Sequence, residues 1–208
     1  DGFTITRGGS DYKCGGMRNE YCSPKVAHCV FQNNWGDSCG AVNNFESSPV
    51  FSDCSFLENQ SDGPGGAIYN TRSLLTLERC VFEENLTESS GGGMYSYDGE
   101  LSLSACVFSR NSARRGGGLC TYNESSTLLN CLFTANAVYS LNGWETYGGG
   151  IANSYGSDLE LVNCTFAGNT SSNQGGAIVN KGNLVSLKNC IVWGNDAPDG
   201  AGIWNSAL

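Results

Sequence analysis

The cysteines are the first place to look for chemistry in this 208-residue chain, which has eleven of them. Seven recur: Cys29, Cys54, Cys80, Cys106, Cys131, Cys164 and Cys190, at spacings of 25, 26, 26, 25, 33 and 26 residues. No C-x-x-C pair exists and His28 is the only histidine, so a zinc site of ordinary spacing is not expected. Thiols that recur at a fixed period read as small apolar core groups. In-register parallel side chains suit the disulfide torsion poorly, so this set is expected to stay mainly reduced. Cys14, Cys22, Cys39 and Cys120 fall outside it. Cys14 and Cys39 hold the same place in successive repeats and form the best disulfide candidate, with Cys22 as a competitor. Cys120 is expected to point outward as a free thiol.

Carboxylates supply the second set. Asp37, Asp62 and Glu88 lie near one position of successive repeats, followed there by Arg114, and Glu58 and Glu84 form another such pair. Two carboxylates stacked about 5 Å apart could act as acid and base or bind calcium. A solvated edge is the competing reading, because the oxygen-rich set that calcium needs is incomplete. No metal site is assigned. Calcium is the one cofactor that Asp62, Glu58 and Glu84 would suggest. His28 reads as a turn residue, since Asp53 and Arg79 take its place later. Asn59, Asn85, Asn123 and Asn169 begin N-x-S/T sequons, which matter only in a host that glycosylates them.

Positioning these residues requires a repeat. Two places after each periodic cysteine comes Phe31, Phe56, Phe82, Phe108, Phe133 or Phe166, with Val192 as the departure. Five places after comes Asn34, Asn59, Asn85, Asn111, Asn136, Asn169 or Asn195, without exception. A Gly-rich strand such as Gly66-Ala67-Ile68 recurs eight times. Phe3 and Ile5 fit a leading coil. Within Gly65 to Asn85, three β-type runs are separated by turn residues: Ala67-Ile68-Tyr69, Leu75-Thr76-Leu77 and Cys80-Val81-Phe82. A repeat of 25 to 26 residues with three strands per coil predicts an all-β, right-handed parallel β-helix of about eight coils. Its handedness follows from the general rule for parallel crossovers. A leucine-rich repeat would need L-x-x-L-x-L-x-x-N and usually a helical segment, and neither is present. In this fold the Phe, Leu, Cys and strand aliphatics point inward. The asparagines form a ladder at a turn, and Asn130, Asn163 and Asn189 are candidates for a second, shorter one.

These residues carry a resemblance. GGAI at Gly65–Ile68 and Gly175–Ile178, with F-x-x-N at Phe56–Asn59, Phe82–Asn85 and Phe166–Asn169, resembles the repeat of the polymorphic outer-membrane proteins. Those are β-helical passenger domains of bacterial surface adhesins. The opening DGFTITRGG and the closing NCIVWGN are similar to a wider set of secreted bacterial β-helix-repeat proteins. The resemblance implies an extracellular or cell-surface location.

Outward positions are what remains for function. Val30, Val81, Val107, Leu132 and Ile191 stand between the Cys and Phe columns, where a solvent face should be polar. They are candidates for a lateral contact, against the alternative of ordinary β-propensity. Tyr69 and Tyr95 occupy adjacent coils of another outward column, with Trp204 farther along, and suit a sugar or protein face. One coil is enlarged: residues 137–147, AVYSLNGWETY, run about seven residues longer than their equivalents. Tyr139, Trp144 and Tyr147 there could contact a ligand, or the segment could fold over a flank of the coil.

Totals narrow the classes. A charge of −9 argues against nucleic acid and anionic membrane. No apolar run approaches membrane-spanning length. The chain reads as a single domain over residues 1–208 that begins in a strand, without a signal peptide, and ends in mid-coil. It is expected to be a mature or excised segment of a longer chain, or a subunit whose ends meet those of another copy. Phe3, Ile5, Ile203 and Trp204 are the end-contact candidates. Nearly every coil is of minimal length, leaving little room for the loop-walled cleft of a polysaccharide lyase or glycoside hydrolase. The expected function is that of a rigid, non-enzymatic extracellular β-helix in a surface adhesin or structural protein, binding protein or glycan. A head-to-tail filament subunit and a polysaccharide-active enzyme are the alternatives.

Overall fold

The coil that begins at Gly65 shows how the strands arise. Ile68–Thr71, Leu74–Glu78, Val81–Glu83 and Leu86–Thr87 are strands. Their inward side chains are buried at Ile68, Asn70, Leu75, Leu77 and Phe82, while Tyr69, Thr76 and Val81 face outward and are half-buried. Each strand pairs in parallel with its copy one coil on, so that Tyr69 aligns with Tyr95, Leu77 with Leu103 and Phe82 with Phe108. Like side chains therefore stack on like. The computed structural model describes residues 1–11, 13–139 and 145–206 in this way.

Four parallel sheets result, of eight, seven, eight and seven strands. Sheet 1 runs from Thr4–Thr6 to Ile191–Trp193 and sheet 2 from Gly9–Ser10 to Thr170–Ser171. Sheet 3 runs from Met17–Glu20 to Ile203–Asn205, and sheet 4 from Lys25–Ala27 to Val185–Lys188. Sheets 1, 3 and 4 are the three expected strands per coil. Sheet 2 is an addition: after each ladder asparagine from Asn34 to Asn169, two residues form a short strand alongside the neighbouring coil before the chain turns. Among the described residues there is no helix long and apolar enough to cross a membrane.

The corners demand unusual backbone. His28, Asp53, Arg79, Ala105, Asn130, Asn163 and Asn189 all sit at φ between 51 and 54°. A second corner, just before the ladder asparagine, repeats this at Asn33, Glu58, Glu84, Arg110 and Ala135. L-residues pay roughly 1–2 kcal/mol for this left-handed conformation, so the stacking between corners must offset it. Gly66 answers a different need. A Cβ there would run into the carbonyl oxygen of Gly92 in the next coil.

Stacking inside is regular. Rings of Phe31, Phe56, Phe82, Phe108, Phe133 and Phe166 lie face over face, with centroids 4.5–5.0 Å apart and planes within 9°. The periodic cysteines are free and buried from Cys29 to Cys164, and half-buried at Cys190. Each thiol donates to backbone carbonyls, as Cys80 does to Phe51 and Glu78. Cys106 is raised well above its usual range by hydrogen bonds to the Cys131 and Cys80 thiols and by burial.

The asparagine ladder is continuous. The backbone N–H and the side-chain amide of Asn59 both donate to Asn85 Oδ1 at 3.0 Å, and the same amide donates to the carbonyl of Phe31. Asn85 repeats these bonds with Asn111 and Phe56. Among the N-x-S/T sequons, Asn59, Asn85 and Asn169 belong to this ladder and are fully buried, which closes them to glycosylation; Asn123 and Asn163 (Asn163-Cys164-Thr165) are exposed. Asn163 does donate to Asn130, at 3.1 Å on the surface.

The longer second ladder lies elsewhere, on the inward side of sheet 3. Asn19 donates to Asn44, Asn44 to Asn70, Asn70 to Ser96, Thr121 to Asn153 and Asn153 to Asn180. At Ser96 and Thr121 the amides are missing, and a buried carboxylate takes part. The hydroxyls of Ser96 and Ser126 donate to Glu124, at 2.6 and 3.0 Å. Ser126 stands in register with Leu101 and Leu159, so a small polar residue replaces a core leucine where Glu124 enters. Burial pushes the Glu124 carboxyl up to about 7.

Candidate functional site

Alternation in sheet 3 puts every second side chain outside, and parallel register lines these up across coils. One outward column begins Arg18, Asn43, Tyr69, Tyr95. It continues with the smaller Cys120, Ala152 and Val179 and reaches Trp204. The Tyr69 and Tyr95 rings lie 5.6 Å apart and tilted. Two residues along the strand, a second column carries Tyr97 and Tyr122 with centroids 5.4 Å apart, and Tyr155 follows at 5.6 Å. Phe45 extends it toward the chain start, edge-on to Tyr21 at 5.6 Å. Two adjoining aromatic columns thus form one face. Their signal was present in the spacing of Tyr97 and Tyr122, but a column interrupted by Thr71 and Ser154 does not announce itself as a repeat.

The enlarged coil limits this face. Ala137–Val138 is an ordinary strand of sheet 2, and Tyr139 beyond it is exposed. Trp144 lies outside the described residues. Tyr147 corrects the ligand-contact expectation: it is only 5% exposed and packs with Cys120, Ala152 and Val179. Small residues at those three places leave the room that its ring fills. Lys181 Nζ sits 4.0 Å from the centre of that ring and 3.4 Å from Glu145, and the Arg115 guanidinium lies 5.4 Å from the ring centre. Cys120 does point away from the main core but is covered rather than exposed. Burial raises its thiol to about 12, which leaves it unreactive. Trp204 packs against the same cluster and donates to Asp199 at 2.7 Å. Tyr95 is half-buried beside it, and burial lifts its phenol above the usual range. The open part of the face therefore runs from Arg18 to Tyr95 and ends against Tyr147.

The other candidates occupy separate places. Val30, Val81, Val107 and Leu132 are half-buried on sheet 1 and Ile191 is exposed. Ser55 separates the first two and Thr165 the last two, so only three apolar residues run together. Phe3 is exposed, while Ile5 and Ile203 pack against the core. Glu58 and Glu84 share a corner column, but its next member is Arg110, whose guanidinium holds Glu84 at 2.7 Å and also pairs with Glu83. An arginine in the stack removes the charge that would attract calcium there. Asp62 is exposed on its turn. Among the described residues no group of three or more His, Cys, Asp or Glu side chains is placed to hold a metal ion. Cys14 and Cys39 form the expected disulfide, with Cα atoms 4.6 Å apart, and Cys22 stays free and exposed.

Rigid backbone beneath the face and rings on top make a surface that can stack on sugar rings or apolar protein groups while phenol hydroxyls hydrogen-bond. A family model described as "Right handed beta helix region" matches residues 13–131 and 65–207. No curated protein and no solved structure matches the chain.

Proposed function

The chain belongs to the right-handed β-helix family, and on that premise we propose that it is a rigid, non-enzymatic scaffold of a bacterial cell surface that binds a glycan or a protein through the aromatic face of sheet 3. The in-register pairs Tyr69–Tyr95 and Tyr97–Tyr122, with the Tyr155 ring packed beyond Tyr122, carry this reading. Half-exposed aromatic rings in register on a stiff sheet lose little entropy on binding, which is what a contact surface needs. The Cys14–Cys39 disulfide supports an extracellular location, since such bonds persist in oxidising compartments. The adhesin-like GGAI and F-x-x-N repeats agree with it.

A glycan array probed with the purified chain, alongside Tyr95→Ala and Tyr122→Ala, tests the proposal. Binding is expected for the native chain and should weaken by about tenfold or more in each variant, the scale of a central aromatic contact. Thermal unfolding should stay near the native value for Tyr122→Ala and fall only modestly for Tyr95→Ala, whose half-buried ring packs on the edge of the Tyr147 cluster. Variants that bind as well as the native chain would rule out this face.

A further inference from the structure

A pocket of 230 Å³ opens at the free end of the aromatic face, lined by Lys13, Cys14, Arg18, Ser38, Asn43 and Tyr69. Arg18, Asn43 and Tyr69 are consecutive members of the outward column of sheet 3. Lys13 is exposed beside the disulfide. Two cations meet here in a chain with only 11 lysines and arginines against 20 acids. Arg18 is only partly neutralised, by Glu20 at 2.8 Å on the surface. From this pocket the column passes over Tyr69 to Tyr95 and stops at the Tyr147 cluster. Three strand steps separate Arg18 from Tyr95, about 14 Å at the ~4.8 Å spacing of paired strands.

Resting on the proposed use of this face, we infer that the pocket is an acidic-sugar subsite, so that the ligand is an anionic oligosaccharide. Its carboxylate or sulfate group meets Lys13 and Arg18. The sugar ring that bears it lies on Tyr69, and Asn43 and Ser38 reach its hydroxyls. The next residues of the chain continue over Tyr95. A guanidinium suits the planar fork of a carboxylate or the oxygens of a sulfate, and an ammonium adds a point charge. The acidic balance of the remaining surface repels long polyanions such as nucleic acid, so selection falls to a local pair of cations beside rings.

Titration calorimetry with three oligosaccharides of equal length, one uronic-acid-bearing, one sulfated and one neutral, tests the inference. At least one acidic probe should bind about tenfold tighter than the neutral one, the effect of a single charge-assisted contact. Added salt should shrink the difference. Lys13→Ala combined with Arg18→Ala should abolish the preference, and Glu20→Gln, which releases Arg18, should increase it. All three residues are exposed, so folding is not at stake, and a thermal melt checks this. Which acidic probe binds tells carboxylate from sulfate. Equal binding of neutral and acidic probes, still sensitive to Tyr95→Ala, would overturn the subsite and leave the aromatic face standing. Failure of all three to bind would overturn both the subsite and the glycan reading of the face.

Discussion

Glu124 is the residue at which the repeat breaks its own rules. Ser157 holds its place in the next coil, its hydroxyl oxygen accepting from the Glu124 backbone N–H at 3.3 Å, and Gly99 lies beneath it. The carboxyl fits because Ser126 stands where neighbouring coils carry Leu101 and Leu159, and because Ser96 and Ser126 both donate to it. With its pKa near 7 in the fold against 4.5 for a free side chain, the native state keeps a proton that the unfolded chain releases. Stability should therefore be fully present below about pH 4.5 and should fall as pH rises through 7, by about 3 kcal/mol at ~1.4 kcal/mol per unit. Urea unfolding of the native chain and Glu124→Gln at pH 5 and pH 8 checks this. The variant should lose most of that slope, and equal slopes would refute the assignment. Nothing in the order Asn123-Glu124-Ser125-Ser126 revealed this buried acid. In sequence it looks like an exposed turn, and only the inward direction of two neighbouring ladders places it inside.

At the scale of the element, the ladders hold the coils in register. Replacing Asn85 by Ala would remove the acceptor of two Asn59 bonds and the donor to Phe56 and Asn111. Each buried group left unsatisfied costs roughly 1–3 kcal/mol, so Asn85→Ala should destabilise by about 3 kcal/mol or more in chemical unfolding. A loss under ~1 kcal/mol would mean that water enters and repairs the gap. The asparagine and phenylalanine columns were legible because every coil solves the same packing problem with the same residue. The inner ladder of sheet 3 was not, since Ser96 and Thr121 interrupt it. Sheet 2 was not either, because two residues cannot display an alternation. The left-handed corners were equally hidden: His28, Asp53, Arg79 and Ala105 share a φ and no chemistry.

The whole molecule is close to one-dimensional, each coil touching only its neighbours, so stability is the sum of coils and interfaces. A crosslink between the first two coils should act locally. The Cys14–Cys39 bond closes a separation of 25 residues, worth about 3 kcal/mol in the chain-entropy account. Under mild reduction, hydrogen exchange should quicken in the strands around Met17–Glu20 and Val42–Phe45 and stay unchanged beyond Phe82. Uniform acceleration along the chain would show a single cooperative unit instead. By itself the sequence determined the period, the β-helix, the inward columns and the reduced thiol set, and it favoured Cys14–Cys39 while leaving Cys22 as a competitor that the structure keeps free. All of these follow from identical side chains stacking at a fixed spacing. Tertiary structure decided the rest. Tyr147 was drawn off the surface by the hollow that Cys120, Ala152 and Val179 leave, Glu84 was claimed by Arg110, and Tyr97, Tyr122 and Tyr155 were gathered beside Tyr69 and Tyr95. Outward side chains are under no packing constraint that repeats, so their meaning comes from which neighbours the coil brings beside them.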